Sequence, residues 1–222
     1  MKSDPFQGRY LFHFHTQRTD GKLTARDYFE WAQGQGVESL LFLEHVRREA
    51  SYDVPAFVEE VRELEQRFGI RARIGFEAKL LADGTLDISP EHCALAEIVG
   101  IAEHGFPNDV ELLQTAFQRA MRRLPEQLAH CCLVWVHPGL WFKKRGIERS
   151  TSTACLSMLQ QAQDSGVFVE RNLRYALLDE ALVPTISKEL LVLGADAHTA
   201  KDLGAWEASD HWDLYAKAPM SK

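Results

Sequence analysis

The sequence predicts an α/β fold, a barrel of parallel βα units, on three observations. Seven short apolar stretches alternate with segments of helical periodicity along the whole chain. Nearly every apolar stretch ends in a histidine, aspartate or glutamate. No repeat, low-complexity tract or linker interrupts the alternation, so the chain is expected to form a single domain, 1–222. Right-handed crossovers leave a closed barrel or a doubly wound sheet as outcomes. The barrel is favoured, because a doubly wound sheet concentrates its chemistry at one switch point, whereas here most strands end in a candidate ligand.

The elements follow in order. The first strand covers 9–15 and ends in His13-Phe14-His15. A helix over 24–36 starts at a capping Thr24, carries Tyr28, Phe29, Trp31 and Ala32 on its apolar side, and stops at glycines. The second strand, 40–45, leads to a helix over 54–68, where Phe57, Val58, Val61, Leu64 and Phe68 recur at helical spacing before Gly69. The third strand is 73–77. Beyond it, Asp83-Gly84 between apolar pairs signals a hairpin over 79–88, with a short helix starting near Pro90. The fourth strand, 98–104, precedes the longest helix, 108–128, whose buried stripe is Val110, Leu112, Leu113, Ala116, Phe117 and Met121. Strand five (133–138), a helix over 152–165 and strand six (167–172) follow. A helix over 174–189, split by Pro184, then leads to strand seven, 190–198.

Composition narrows the function classes. A formal net charge of −7 and a pI near 5.7 exclude a broad basic surface for long nucleic acid, while a local basic pocket remains compatible. The apolar runs fall far short of the roughly 20 residues that span a bilayer, so no membrane partner is expected. The N-terminal segment has no apolar signal core, and a cytoplasmic location is the expectation. Cys93, Cys131, Cys132 and Cys155 lack a Cys-X-X-Cys spacing and are expected to be small hydrophobes rather than disulfides or a zinc knuckle.

The chemistry lies in the strand ends. His13 and His15, two apart on a strand, point to the same side and can chelate one ion. Alone, such a pair also suits a partly exposed strand edge. His45, Glu77, His104, His137, Asp196 and His198 each lie at or beside a predicted strand end, so six of the nine histidines join one set, with Asp20-Gly21 in the first loop. Imidazole with carboxylate suits zinc, iron or manganese, and a glutamate can bridge two ions. His92, His130 and His211 are expected on the surface or in packing.

This ordered set resembles the polymerase and histidinol phosphatase (PHP) superfamily of metal-dependent phosphoesterases, from Tyr10 to about Gly204. The matching motifs are His13-Phe14-His15 with Thr19-Asp20-Gly21, Glu44-His45, Gly75-Phe76-Glu77, Glu103-His104, His137-Pro138-Gly139, Glu170-Arg171-Asn172 and Gly194-Ala195-Asp196-Ala197-His198. The hairpin after Glu77 is similar to one in the PHP domains of bacterial family-X DNA polymerases and their stand-alone relatives. The resemblance implies a distorted seven-stranded TIM-like barrel holding up to three divalent metal ions (zinc, manganese or iron) at the C-terminal face of its strands. His13, His15, Glu77 and Asp196 would hold one ion, Glu77, His104 and His137 a second, and Asp20, His45 and His198 a third. Two departures stand out: Glu44 where the family has Asp, and Ala195 where it has Ser or Thr. Both neighbour the ligands, so they are expected to tune affinity.

The implied activity is hydrolysis of a small phosphomonoester by a metal-bound hydroxide at a trinuclear site, with Glu77, Asp196 and His198 as catalytic residues. The alternative is a 3′-5′ exonuclease or nucleotide phosphatase. A catalytically silent metal module would need only about four ligands. An amidohydrolase would carry a bridging lysine, and none occurs at a matching strand end. For phosphate contact the candidates are Arg18, Arg171, Arg174 and the run Lys143-Lys144-Arg145, each also compatible with a solvated surface charge. Arg171 and Arg174 follow the sixth strand directly, and Arg171 is the leading one. Trp141 and Phe142 could line the pocket or form a lid.

Overall fold

The alternation folds into nine short strands and seven α-helices among residues 5–208, the part of the chain that the computed structural model describes. The strands are β1 (Tyr10–Phe12), β2 (Ser39–Leu41), β3 (Glu44–His45), β4 (Arg71–Arg73), β5 (Gly75–Lys79), β6 (Ile98–Ala102), β7 (Cys132–Trp135), β8 (Phe168–Asn172) and β9 (Leu191–Gly194). The helices are α1 (Ala25–Gln35), α2 (Val54–Phe68), α3 (Pro90–Leu95), α4 (Val110–Gln127), α5 (Leu140–Lys143), α6 (Thr153–Asp164) and α7 (Ala200–Glu207). Thr24 caps α1 by accepting from Asp27 N, and Gly36 ends it in the left-handed region. Asp53 and Gly69 do the same for α2.

Every predicted strand region contains a strand, and all the pairing between strands is parallel. The predicted second and third strands are each broken in two. Pairing therefore gives a three-stranded sheet, β1-β2-β4, and a six-stranded sheet, β3-β5-β6-β7-β8-β9, and a single closed seven-stranded sheet is absent among the described residues. The break has a local cause at Ile74, where the backbone turns to the next strand: its carbonyl accepts from Glu97 N and Ile98 N, and its N–H donates to the Glu97 side chain. Gly75 permits the close approach that follows, since a Cβ there would lie 2.2 Å from the Phe42 carbonyl oxygen.

Alternation along each strand sorts the apolar residues into two layers. Tyr10, Phe12, Leu41, Leu43, Ile98, Ala102, Val134, Val136 and Val192 pack together with Phe6 as one buried cluster. Their strand neighbours Leu11, Leu40, Phe42, Val99, Ile101, Leu133, Trp135, Leu191 and Leu193 pack with the helices in a second, larger one. Backbone bonds also link the ends of the first and last strands: Ala195 N donates to Phe12 O (2.9 Å), His15 N to Ala197 O (2.9 Å) and Ala197 N to His13 O (3.1 Å).

The 79–88 hairpin is present in a minimal form, an antiparallel Leu80–Leu86 bridge with Asp87 N donating to Lys79 O (2.9 Å). The helix expected over 174–189 is replaced by irregular chain with one 3₁₀ turn, Val183–Thr185. Asn172 Oδ1 takes the Tyr175 N–H (3.0 Å) and Ala176 adopts φ +48°, which together divert the chain before a helix can start. All four cysteines are free thiols, Cys131 and Cys155 buried and the other two half-buried. No helix of the described residues is long and apolar enough to cross a membrane.

Candidate metal centre

The strands aim the site residues by the same alternation. In β5, Phe76 and Ala78 belong to the outer layer, so Glu77 faces inward. In β9 and its extension, Leu193, Ala195 and Ala197 are outer, which leaves Gly194 and Asp196 inward. The first strand needs a correction to do this. Had its pleat continued, Phe14 would join Phe12 inside and His13 would face out with Leu11; instead Phe14 packs with Leu11 in the outer layer. His13 has φ +62°, which shifts the alternation by one place and turns both His13 and His15 inward. His137 (φ +34°) and Asp196 (φ +51°) also occupy the left-handed region.

Three groups of side chains result, each with ligand atoms within 4.8 Å of one another: His13, His15 and Glu77; Glu77, His104 and His137; and His15, Asp20, His45 and His198. Asp196 Oδ1 lies 3.8 Å from His13 Nε2 and 3.7 Å from His15 Nε2, beside the first group. Glu77 spans two groups: Oε2 lies 3.2 Å from His13 Nε2, and Oε1 lies 3.4 Å from His137 Nε2 and 3.6 Å from His45 Nδ1. Asp20 faces His45 Nε2 and His198 Nε2, each at 3.4 Å. The structure thus brings together all nine side chains singled out as ligands.

The donor set fits divalent ions. His15 is fully buried, yet neither of its ring nitrogens has a hydrogen-bond partner, and Nδ1 of His45, His104 and His137 is likewise buried and unpartnered. Orphaned imidazole nitrogens in a polar cluster are costly unless something accepts their lone pairs. Electrostatics agree. Burial, then His45 and His13, hold His15 well below the usual histidine range, so it stays neutral and able to ligate. Burial and the neighbouring His137 charge push His104 down to about 4. Burial alone would depress His13, but Glu170 and Asp196 outweigh it and hold the ring well above its ordinary range. For Glu77, burial is outweighed by His137 and His13, which keep the carboxylate ionised. The cluster demands positive charge, as protons or as metal ions.

Around these side chains stands a supporting layer, in which the sequence had suggested a role for Glu44 and none for Glu170, Asn172 or Glu103. Glu170 is completely buried and accepts from His13 Nδ1 (2.6 Å) and from His137 N (2.5 Å), which leaves His13 Nε2 turned to Glu77. Asn172 Nδ2 donates to Glu170 Oε2 and Asp196 Oδ2, both at 3.1 Å. Glu44 accepts from Thr16 N and the Thr19 hydroxyl, so the position where the family carries Asp holds the first loop; burial pushes its carboxyl up to about 7. Glu103 accepts from Trp135 Nε1 and Trp141 N. The signal for Glu170 and Asn172 was available: they are two apart on one strand and so share a face.

The substrate candidates divide. Arg174 reaches the centre, with Nη1 2.8 Å from His198 Nδ1 and 3.2 Å from the Asp196 carbonyl. Arg171 does not. Glu170 and Asn172 take the inward places of β8, so Arg171 between them turns outward and pairs with Glu180, which corrects the expectation that it leads in reading the substrate. Lys143 donates to the Tyr175 carbonyl. Arg145 stacks on Trp141 at 4.0 Å and donates to Asn108 and to the Phe106 carbonyl, a packing role. Arg18 pairs with Glu60 (2.7 Å) and lines an open pocket of about 510 Å³ with Thr19, Asp20, His45 and Arg47. Trp141 and Phe142 are buried core, neither pocket lining nor lid. His130 is exposed and His92 half-buried; His211 lies outside the described residues.

Histidines and carboxylates converging from six strand ends of a parallel α/β fold are the makings of a metal-dependent hydrolase centre. A family model described as the PHP domain matches residues 12–170, a stretch that includes His13 through Glu170 and stops before Asp196 and His198. The chain belongs to the PHP domain family, and this makes it a metal-dependent hydrolase of phosphoesterase type. A comparison with curated proteins finds no match. Among solved structures, an adenine deaminase from Arthrobacter aurescens is similar at a TM-score of 0.48 and 14% identity, over 86% of this chain and 70% of that one. A two-domain protein from Bacteroides vulgatus containing a predicted PHP-like metal-dependent phosphoesterase is similar at a TM-score of 0.46 and 14% identity; the match covers 88% of this chain but 53% of that one. A mutant of organophosphorus hydrolase from Deinococcus radiodurans is similar at a TM-score of 0.43 and 11% identity, over 90% and 82% of the two chains.

Proposed function

We propose that the protein is a phosphatase that hydrolyses a small phosphomonoester at a site for three divalent ions. The observation that carries this reading is the set of three overlapping ligand groups sharing Glu77 and His15, with buried imidazole nitrogens left unpartnered. In it, His13, His15, Glu77 and Asp196 hold one ion, Glu77, His104 and His137 a second, and Asp20, His45 and His198 a third. Zinc, manganese and iron all suit this imidazole and carboxylate set. Ions of this kind, when bound, lower the pKa of a coordinated water towards about 7 and polarise phosphoryl oxygens.

The chain's own groups supply the rest. Glu77 bridges two ligand groups, Asp196 offers a carboxylate beside His13 and His15, and His198 ties Asp20 to the Arg174 side. Arg174 gives the centre a permanent cation to meet a phosphoryl oxygen. Glu170 and Asn172 keep His13 and Asp196 oriented. The acidic surface favours a small phosphorylated partner over long nucleic acid. The scaffold is read as one distorted barrel domain, supported by the bonds joining the first and last strand ends and by the separate inner cluster.

The test is a substrate panel of phosphorylated amino alcohols, sugar phosphates, nucleotides and short oligonucleotides, each with manganese, iron and zinc. Turnover of a phosphomonoester, abolished in folded His13→Ala and Glu77→Ala variants, is the expected result. Preference for an oligonucleotide over every monoester would replace this reading by the exonuclease one. Full turnover in either variant would show the site to be misassigned.

A further inference from the structure

The geometry points to Tyr175 as a substrate-contact residue whose phenol donates a hydrogen bond to a phosphoryl oxygen. This inference rests on the phosphatase reading of the same centre and adds a residue to it. Four non-glycine residues have left-handed backbone among those described: His13, His137, Asp196 and Ala176. Three are at the centre. The fourth follows Tyr175 directly, and strained backbone persists only where its surroundings hold it.

The surroundings of Tyr175 do hold it. Its N–H donates to Asn172 Oδ1 (3.0 Å), the same side chain whose Nδ2 supports Glu170 and Asp196. Its carbonyl accepts from Lys143 Nζ at 2.5 Å. A backbone fixed from both sides sets where the ring goes. The ring stands edge-on to His137, with centroids 6.2 Å apart and planes at 86°. The half-buried Tyr175 follows Arg174 in sequence, and with its ring against His137 and the Nη1 of Arg174 2.8 Å from His198 Nδ1, the pair brings a neutral phenol donor and a cation to the centre. A tetrahedral oxyanion at the centre has oxygens to spare for both. Lys143, 2.5 Å from the Tyr175 carbonyl, is then a positioning residue and not a phosphate ligand.

The experiment measures inorganic phosphate binding to the metal-loaded protein by calorimetry, together with hydrolysis of the best monoester. Both are done for wild type, Tyr175→Phe and Lys143→Ala, with metal content and Tm recorded for each. Tyr175→Phe is expected to weaken phosphate binding and to lower kcat/KM roughly tenfold or more, the loss of one hydrogen bond to a charged group, at unchanged metal content and Tm. Lys143→Ala is expected to give a smaller loss of the same kind. Wild-type phosphate affinity and turnover in Tyr175→Phe would overturn the contact, and so would loss of metal from that variant, which would make the tyrosine structural. If wild-type protein neither binds phosphate nor hydrolyses any monoester, the phosphatase reading itself fails and the contact falls with it.

Discussion

At the scale of single residues, the centre depends on side chains that never face solvent. Glu170 fixes the His13 ring through a 2.6 Å bond from Nδ1, and Gly194 makes room for it: a Cβ at Gly194 would lie 1.6 Å from Glu170 Oε1. Replacing Glu170 by Gln keeps the volume but removes the charge that holds His13. Metal affinity is expected to fall about 10- to 100-fold, as for other partners of metal-bound histidines, measured by competition with a chromophoric chelator; an unchanged affinity would remove Glu170 from the site. Gly194→Ala is expected to displace Glu170 and lower both Tm and metal uptake. Gly204 in α7 has open space around it, so Gly204→Ala should leave metal uptake intact and gain up to about 1 kcal/mol from helix propensity. If the two alanines behave alike in a melting experiment, the close contact at Gly194 is not what the geometry states.

At the scale of elements, the interruption in the third strand is managed by one carboxylate. Glu97 accepts from Ile74 N (2.9 Å), Arg73 Nη1 and Arg62 Nη2, pinning β4 and β5 to α2. Burial alone would raise its carboxyl, but those bonds win and hold it below the ordinary glutamate value. A depressed carboxylate contributes stability that is fully present above the unfolded-state pKa and is lost as pH falls through the folded one. Glu97→Gln is therefore expected to cost roughly 1 kcal/mol at pH 7, scaled down for its partial exposure. The difference from wild type should shrink as pH drops below the glutamate range. A penalty that stays constant down to the acid transition would show that the charge is irrelevant. Elements were legible in the sequence where the signal is local. Thr24, Gly36 and Gly69 mark helix ends through their own backbone and side-chain preferences. The irregular segment between β8 and β9 was not, because its course is set by Asn172, Lys143 and the packing of Leu177, Leu178, Leu182 and Ile186, all of them tertiary.

At the scale of the molecule, the candidate ligands come from six strand ends and the first loop, so bound ions would tie most of the strands together at one face. Loading that binds only the folded state stabilises it by mass action, about 2.7 kcal/mol at a hundredfold excess over Kd, or roughly 5–10 °C for a chain of this size. Chelation is expected to lower Tm by about this amount and manganese or zinc to restore it; identical melting with and without chelator would count against the centre. Order along the chain was enough to read the α/β alternation, the limits of the helices that run between capping residues and glycines, and the nine side chains that the fold brings together, because periodicity, capping and residue type are properties of neighbours in sequence. Tertiary structure alone decided how pairing divides into two sheets, that left-handed backbone at His13 turns both His13 and His15 inward, and that Arg174 and not Arg171 reaches the histidine and carboxylate cluster. Those outcomes depend on which face of a strand a residue takes once its neighbours across the sheet are packed, and a shift of one position reverses the face while leaving the sequence pattern the same.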